Sequence, residues 1–164
     1  DSNSQTGMLR PDAALLDGVY AMGYRYIDGA GNASAASPVL SLTIDTTAPT
    51  GFAGLDISVD TGTSDSDFLT NTRVQTVTAT LGAPLRVGET VFGSVDPRGG
   101  NWTNITGFVS GSALSWSGVS LWDPSEMPEG LSPSDVAIRL QVRDAAGNVG
   151  ATATQQYQLS LIHI

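Results

Sequence analysis

Apolar and polar side chains alternate along most of this chain. The clearest run is Val136, Ile138, Leu140 and Val142, with Arg139, Gln141 and Arg143 between and after them. That period of two is what a strand with one buried face requires. Residues 74–81 repeat it, with Val77, Ala79 and Leu81 on one face and Thr76, Thr78 and Thr80 on the other. Further strands are predicted over 52–59, 89–95, 102–105 and 113–121, the last with a slip of phase near Gly118 that a bulge would produce. A final strand carries Ala151, Ala153, Tyr157 and Leu159. Near the start, Tyr20, Met22, Tyr24 and Tyr26 alternate with small or polar residues, and Val39, Leu40, Leu42 and Ile44 mark a partner strand. No segment has a helical period. The spacing predicts an all-β chain with seven or so strands in two sheets after residue 50.

The punctuation between these strands repeats. Asp28-Gly-Ala-Gly-Asn32 follows the first alternating run, and Asp144-Ala-Ala-Gly-Asn148 follows the clearest one, 116 positions later. A second run leaves each pentad. Asp45-Thr-Thr-Ala-Pro49 then reads as a joint between repeats. Thr46 and Thr47 favour extended backbone, while Pro49 fixes its own φ and steers Ala48 away from helix. Recurrence at a fixed offset marks tandem units. Residues 1–44 are therefore expected to be the C-terminal remnant of one repeat, 45–49 a linker, and 50–159 a complete domain. Residues 160–164, Ser-Leu-Ile-His-Ile, break the pattern and are set aside as a truncated or non-native tail. The chain opens on Asp1 with no leader-like segment, and is expected to be a piece of a longer protein.

Composition narrows the chemistry. Thirteen Asp, three Glu, seven Arg and no Lys give a net charge of −9, a field that repels nucleic acid and anionic lipid. No apolar run is long enough to insert in a membrane as a helix. The excess of Asp over Glu favours turns and oxygen-rich cation sites. Without cysteine there is neither a disulfide nor a zinc–thiolate centre. The only histidine, His163, lies in the tail, which removes histidine-activated nucleophiles. Glu126 and Glu129 in the proline-rich stretch 123–133 read as solvated loop charges rather than an acid–base pair. The chain is expected not to be an enzyme. Asn32, Asn101 and Asn104 head Asn-x-Ser/Thr triplets, a pattern given no weight here.

In order and spacing, the joint at 45–49, Asp-Thr-Gly-Thr-Ser at 60–64, Gly93-Ser-Val-Asp96 before Trp102, and the pentad at 144–148 resemble the tandem bacterial immunoglobulin-like repeats of large secreted surface adhesins, of the biofilm-associated and RTX types. The resemblance covers one repeat over about 46–159 and the back end of another over about 17–44. It implies an immunoglobulin-like antiparallel β-sandwich, preceded by the last strands of a neighbour. It also implies a spacer role outside the bacterial cell, each unit adding a length on the order of 30 Å. Its partners would be neighbouring repeats, with cell-surface or matrix glycans bound by other domains. Such repeats carry Ca²⁺ at their joints. On that topology Asp144 and Asn148 would approach Asp45, while Asp60, Asp65 and Asp67 would face the following joint and Asp28 and Asn32 a preceding one.

Each candidate has a plainer reading. Asp and Asn at these positions can close turns by bonding their own backbone. Trp102, Trp116 and Trp122 could stack on sugar rings, yet large aromatics more often fill cores. A carbohydrate-binding accessory module of an extracellular enzyme is the alternative to the adhesin spacer.

Overall fold

A computed structural model describes residues 13–132 and 135–160. Residues 161–164, with His163, and residues 1–12 of the expected remnant lie outside the described part. The chain divides into two compact units between Thr47 and Ala48. Among the described residues the regular structure is β, with single-turn 3₁₀ segments at Thr106–Phe108 and Pro124–Glu126.

In the first unit β1 (Gly18–Met22) pairs antiparallel with β2 (Leu40–Ile44), from Gly18 opposite Ile44 to Met22 opposite Leu40. The alternation through Tyr26 predicts a longer strand, but β1 stops at Met22. The reason lies across the ladder. Tyr24 N–H donates to Ser37 Oγ at 3.0 Å and Tyr26 N–H to Ser34 Oγ at 2.9 Å, so serine hydroxyls replace ladder carbonyls. The pairing resumes as an isolated bridge between Ile27 and Ala33, just before the pentad closes.

The second unit holds β3 (Phe52–Ile57), β4 (Leu69–Thr70), β5 (Val74–Leu81), β6 (Thr90–Ser94), β7 (Thr103–Asn104), β8 (Val109–Ser110), β9 (Ala113–Ser120), β10 (Ala137–Arg143), β11 (Ala153–Gln156) and β12 (Gln158–Leu159). One antiparallel sheet runs β3-β5-β9-β8 and another β11-β10-β6-β7, while β12 pairs in parallel with β4. The strands exceed the expected seven because β4 and β8 have two residues each, too few to show a period. The last strand is also two. At Tyr157 the chain leaves β10 and joins β4. Tyr157 is buried there and its hydroxyl accepts the Trp122 N–H at 2.9 Å.

Both sheets feed the same core. Ile57, Val77 and Val119 of one sheet meet Ile138 of the other, together with Tyr157 and Leu159. Ala79, Leu81 and Leu114 meet Val91, Leu140 and Val142 in a second cluster. The slip near Gly118 is a bulge. Gln75 faces Val119 and Val77 faces Trp116, leaving two β9 residues opposite Thr76. Gly118 takes φ +74°, a left-handed value that glycine adopts without strain. The extra residue restores phase, so Leu114 and Val119 both reach the core. At the edge of the core, the buried Gln75 amide donates to Thr72 O at 2.8 Å and accepts Val59 N–H at 2.9 Å, tying the stretches that follow β3 and β4 to β5.

The 116-residue offset pairs Tyr24 with Leu140, and the two positions differ sharply in burial: Leu140 is 0% exposed and Tyr24 58%. Leu140→Ala should destabilise the second unit by about 3 kcal/mol, whereas Tyr24→Ala should leave that unit's urea midpoint unchanged. Tyr157→Phe should cost about 1–2 kcal/mol by stranding the Trp122 N–H, read as a lower midpoint in the same denaturation series.

Candidate functional site

The two pentads fold alike. Asp28 Oδ1 accepts the Asn32 N–H at 2.8 Å and Oδ2 accepts Asn32 Nδ2 at 2.9 Å. Asp144 Oδ1 accepts the Asn148 N–H and Oδ2 accepts Asn148 Nδ2, both at 2.8 Å. The backbone agrees: Asp28 N–H donates to Asn32 O and Asp144 N–H to Asn148 O, at 2.9 and 3.1 Å. Just outside, the bridge Ile27 to Ala33 recurs as Arg143 to Val149. Asp is suited to this turn because its carboxylate reaches N–H groups two to four residues on without a long, entropically costly side chain. The Asn148 amide, followed by burial acting the other way and by N–H groups of the turn, leaves the Asp144 carboxyl below its ordinary 3.8. Asn32 does the same for Asp28.

At the joint end of the first unit, Asp45 Oδ1 accepts the Thr47 N–H at 3.1 Å. The residue doing more there is Asp17. It accepts Thr46 N–H at 3.0 Å and the hydroxyls of Thr46 and Thr47, each at 2.7 Å, and these hydroxyls hold its carboxyl low. The hairpin register explains its arrival, since Gly18 sits opposite Ile44 and the next positions out are Asp17 and Asp45. The stretch before Tyr20 has no period to mark Asp17 in the sequence; only a correct register for the hairpin could have found it. Asp45 belongs to the first unit, and Asp144 and Asn148 to the second.

The loop 60–67 forms a second acidic group. Asp60 Oδ2 accepts the Phe68 N–H at 2.8 Å, and Asp67 accepts the N–H groups of Leu69 at 3.1 Å and Ser64 at 3.3 Å. Those backbone donors, Leu69 foremost, hold Asp67 below the usual carboxylate value. Its carboxylate lies over Gly62, where an added Cβ would collide with it. Asp65 stands exposed on the same loop. Among the described residues no three Asp, Glu or His side chains converge as a metal cluster. Glu126, the better placed of the two loop glutamates, forms a bidentate ion pair with Arg73, its Oε1 accepting Nη1 at 3.1 Å. Exposed to this degree, the pair is screened by solvent and contributes little to stability.

Two tryptophans come together. Trp116 from β9 and Trp122 just beyond it line a cavity of about 250 Å³ with Ser94, Asp96, Asn101 and Thr103; Trp102 is not among its walls. The turn 96–101 shapes one side, with Gly99 N–H bonded to Asp96 O at 2.8 Å. Asp96 Oδ1 accepts Arg98 N–H and Oδ2 accepts Asn101 N–H, both at 2.9 Å. Burial pushes the Asp96 carboxyl up, but the N–H groups of Arg98, Asn101 and Gly100 together bring it below 3.8, so it is charged at neutral pH.

Because the folded Asp144 carboxyl titrates below its unfolded value, its contribution to stability is complete above the ordinary 3.8 and disappears as acid takes the solution through the depressed value. The melting temperature of Asp144→Ala should therefore lie a few degrees below that of the parent at pH 7, with the gap closing under strong acid. Comparison with protein-family models finds no match to this chain, and comparison with curated proteins finds none either.

Proposed function

We propose that this chain is part of a tandem array of immunoglobulin-like repeats in a large secreted or surface-anchored bacterial adhesin, where it acts as a spacer. The observation that carries the reading is the recurrence, at a constant offset, of bridge, turn and side-chain hydrogen bonds in two separate units. A module repeated in one chain, each copy closing the same turn, is how extended arrays are assembled. Strand order supports the immunoglobulin-like part. Lettered along the chain, with β4 and β7 as A′ and C′ and β11 and β12 as one strand G, the sheets run A-B-E-D and G-F-C-C′, the arrangement of an immunoglobulin-like sandwich. The reading is of a structural, non-catalytic module.

Calcium belongs to this proposal in a restricted form. The ion takes six to eight oxygen ligands, and neither unit alone brings three acidic side chains together among the described residues. The carboxylates of Asp28, Asp144, Asp60 and Asp67 are already occupied in closing turns. What the first unit offers at its joint end is Asp17 beside Asp45. A calcium ion at the joint would be held by this pair only with ligands from an adjoining repeat, so binding by this chain is weak and depends on tandem context.

Concatemers of the 164-residue chain should grow in maximum dimension in proportion to copy number in small-angle scattering; compact, non-linear growth would end the spacer reading. Adding about 5 mM Ca²⁺ in place of chelator should extend these concatemers further and raise their melting temperature by a few degrees. Superimposable curves in the two conditions would reduce the joint to a plain Thr- and Pro-stiffened linker.

A further inference from the structure

The cavity beside Trp116 has features that core packing alone does not require. The Trp116 ring rests directly on the Gly93 backbone, where an added Cβ would come within 2.5 Å of Cζ3. That contact fixes the ring as a rigid wall, and at this position of β6 a residue without a side chain is what allows it. Trp116 and Trp122 are only partly buried, and neither indole N–H has an acceptor among the described residues. Among the described residues no buried side-chain nitrogen or oxygen lacks a partner, so both indole N–H groups are reached by solvent. Asn101 and Thr103 are exposed at the same cavity, and their side-chain amide and hydroxyl likewise have no partner among the described residues. Asp96 accepts the Arg98 and Asn101 N–H groups, each at 2.9 Å, with the Gly100 N–H also turned to it, and its two oxygens have lone pairs beyond those the turn uses.

Two aromatic walls with a rim of uncommitted donors and acceptors match one class of small molecule. A pyranose ring has an apolar C–H face that packs on indole, and an edge of hydroxyls that both donate and accept. A carboxylate held charged by its turn accepts from two such hydroxyls, and an Asn amide supplies a donor and an acceptor beside it. The volume of about 250 Å³ falls below that of sites for drug-sized ligands, which suits a single sugar residue. The Asp96 carboxylate in the cavity wall and the net charge of −9 disfavour anionic sugars. We propose that the cavity lined by Trp116, Trp122, Asp96 and Asn101 is a subsite for one neutral pyranose residue, the indoles taking its C–H face and Asp96 and Asn101 its hydroxyls. The site lies wholly in the second unit and uses none of the pentad or joint residues, so it stands or falls separately from the spacer proposal.

The test is titration of the full chain with the methyl glycosides of glucose, mannose and galactose and with glucuronate, followed by tryptophan emission and saturation-transfer NMR. The expected result is saturable binding of at least one neutral glycoside with Kd of about 1–10 mM, and glucuronate at least about tenfold weaker. Asn101→Ala should weaken binding about fivefold or more with an unchanged melting temperature, since its side chain has no partner to lose among the described residues. Trp122→Phe should weaken it while the far-UV spectrum stays that of the parent. Absence of saturable binding up to about 50 mM of every neutral glycoside, undiminished binding in folded Asn101→Ala and Trp122→Phe, or equal affinity for glucuronate would overturn the assignment.

Discussion

Burial of the inward row of β10 holds the second unit together. Val136, just before the strand, and Ile138 pack in one apolar cluster, and Leu140 and Val142 in the other, so this row joins the two parts of the core. Each such side chain removed from water contributes about 1.5–3 kcal/mol. The strand is paired on both edges, with β6 and β11. A slip of one residue would turn the whole row outward and present Arg139 and Arg143 to the core. Register is thus fixed by the pattern itself, and the other strands are arranged to meet this one.

The same demand explains the bulge in β9. Strand β5 has an unbroken inward row, and β9 must oppose it with Leu114 before Gly118 and Val119 after it, positions of opposite parity. One extra residue resolves the conflict. Trp116 lies at that change of phase, packed on both clusters and on the bare backbone of Gly93 while one part remains open. A packing solution in the sheet is therefore also what sets an aromatic wall beside the polar turn 96–101.

The acidic residues follow a different rule. Asp17, Asp28, Asp60, Asp67, Asp96 and Asp144 each accept backbone N–H groups of a turn or strand end. Their charge stays at the surface, where it closes turns and keeps the chain strongly anionic. For the proposed spacer role this matters as much as any ligand, because turns closed by side chains resist opening at the ends of units, where a tandem array is loaded.

Period and motif determined much of this. The β10 row, the face of β5, the bulge near Gly118 and the paired pentads were all legible, because each is a local pattern imposed by a two-residue pleat or a five-residue turn. Strands of two residues, such as β4 and β8, are too short to carry a period, and only their pairing with another strand defines them. The division of the last strand at Tyr157 was hidden likewise, since alternation continues through it while the hydrogen-bonding partner changes. Asp17 had no signal of its own and became visible only through the register of β1 on β2. Trp116 and Trp122 could be named as candidates from the sequence. That they share a cavity with Asp96 and Asn101, and that Trp102 does not, was decided by the packing of two sheets, a contact between residues far apart in the chain that no local pattern encodes.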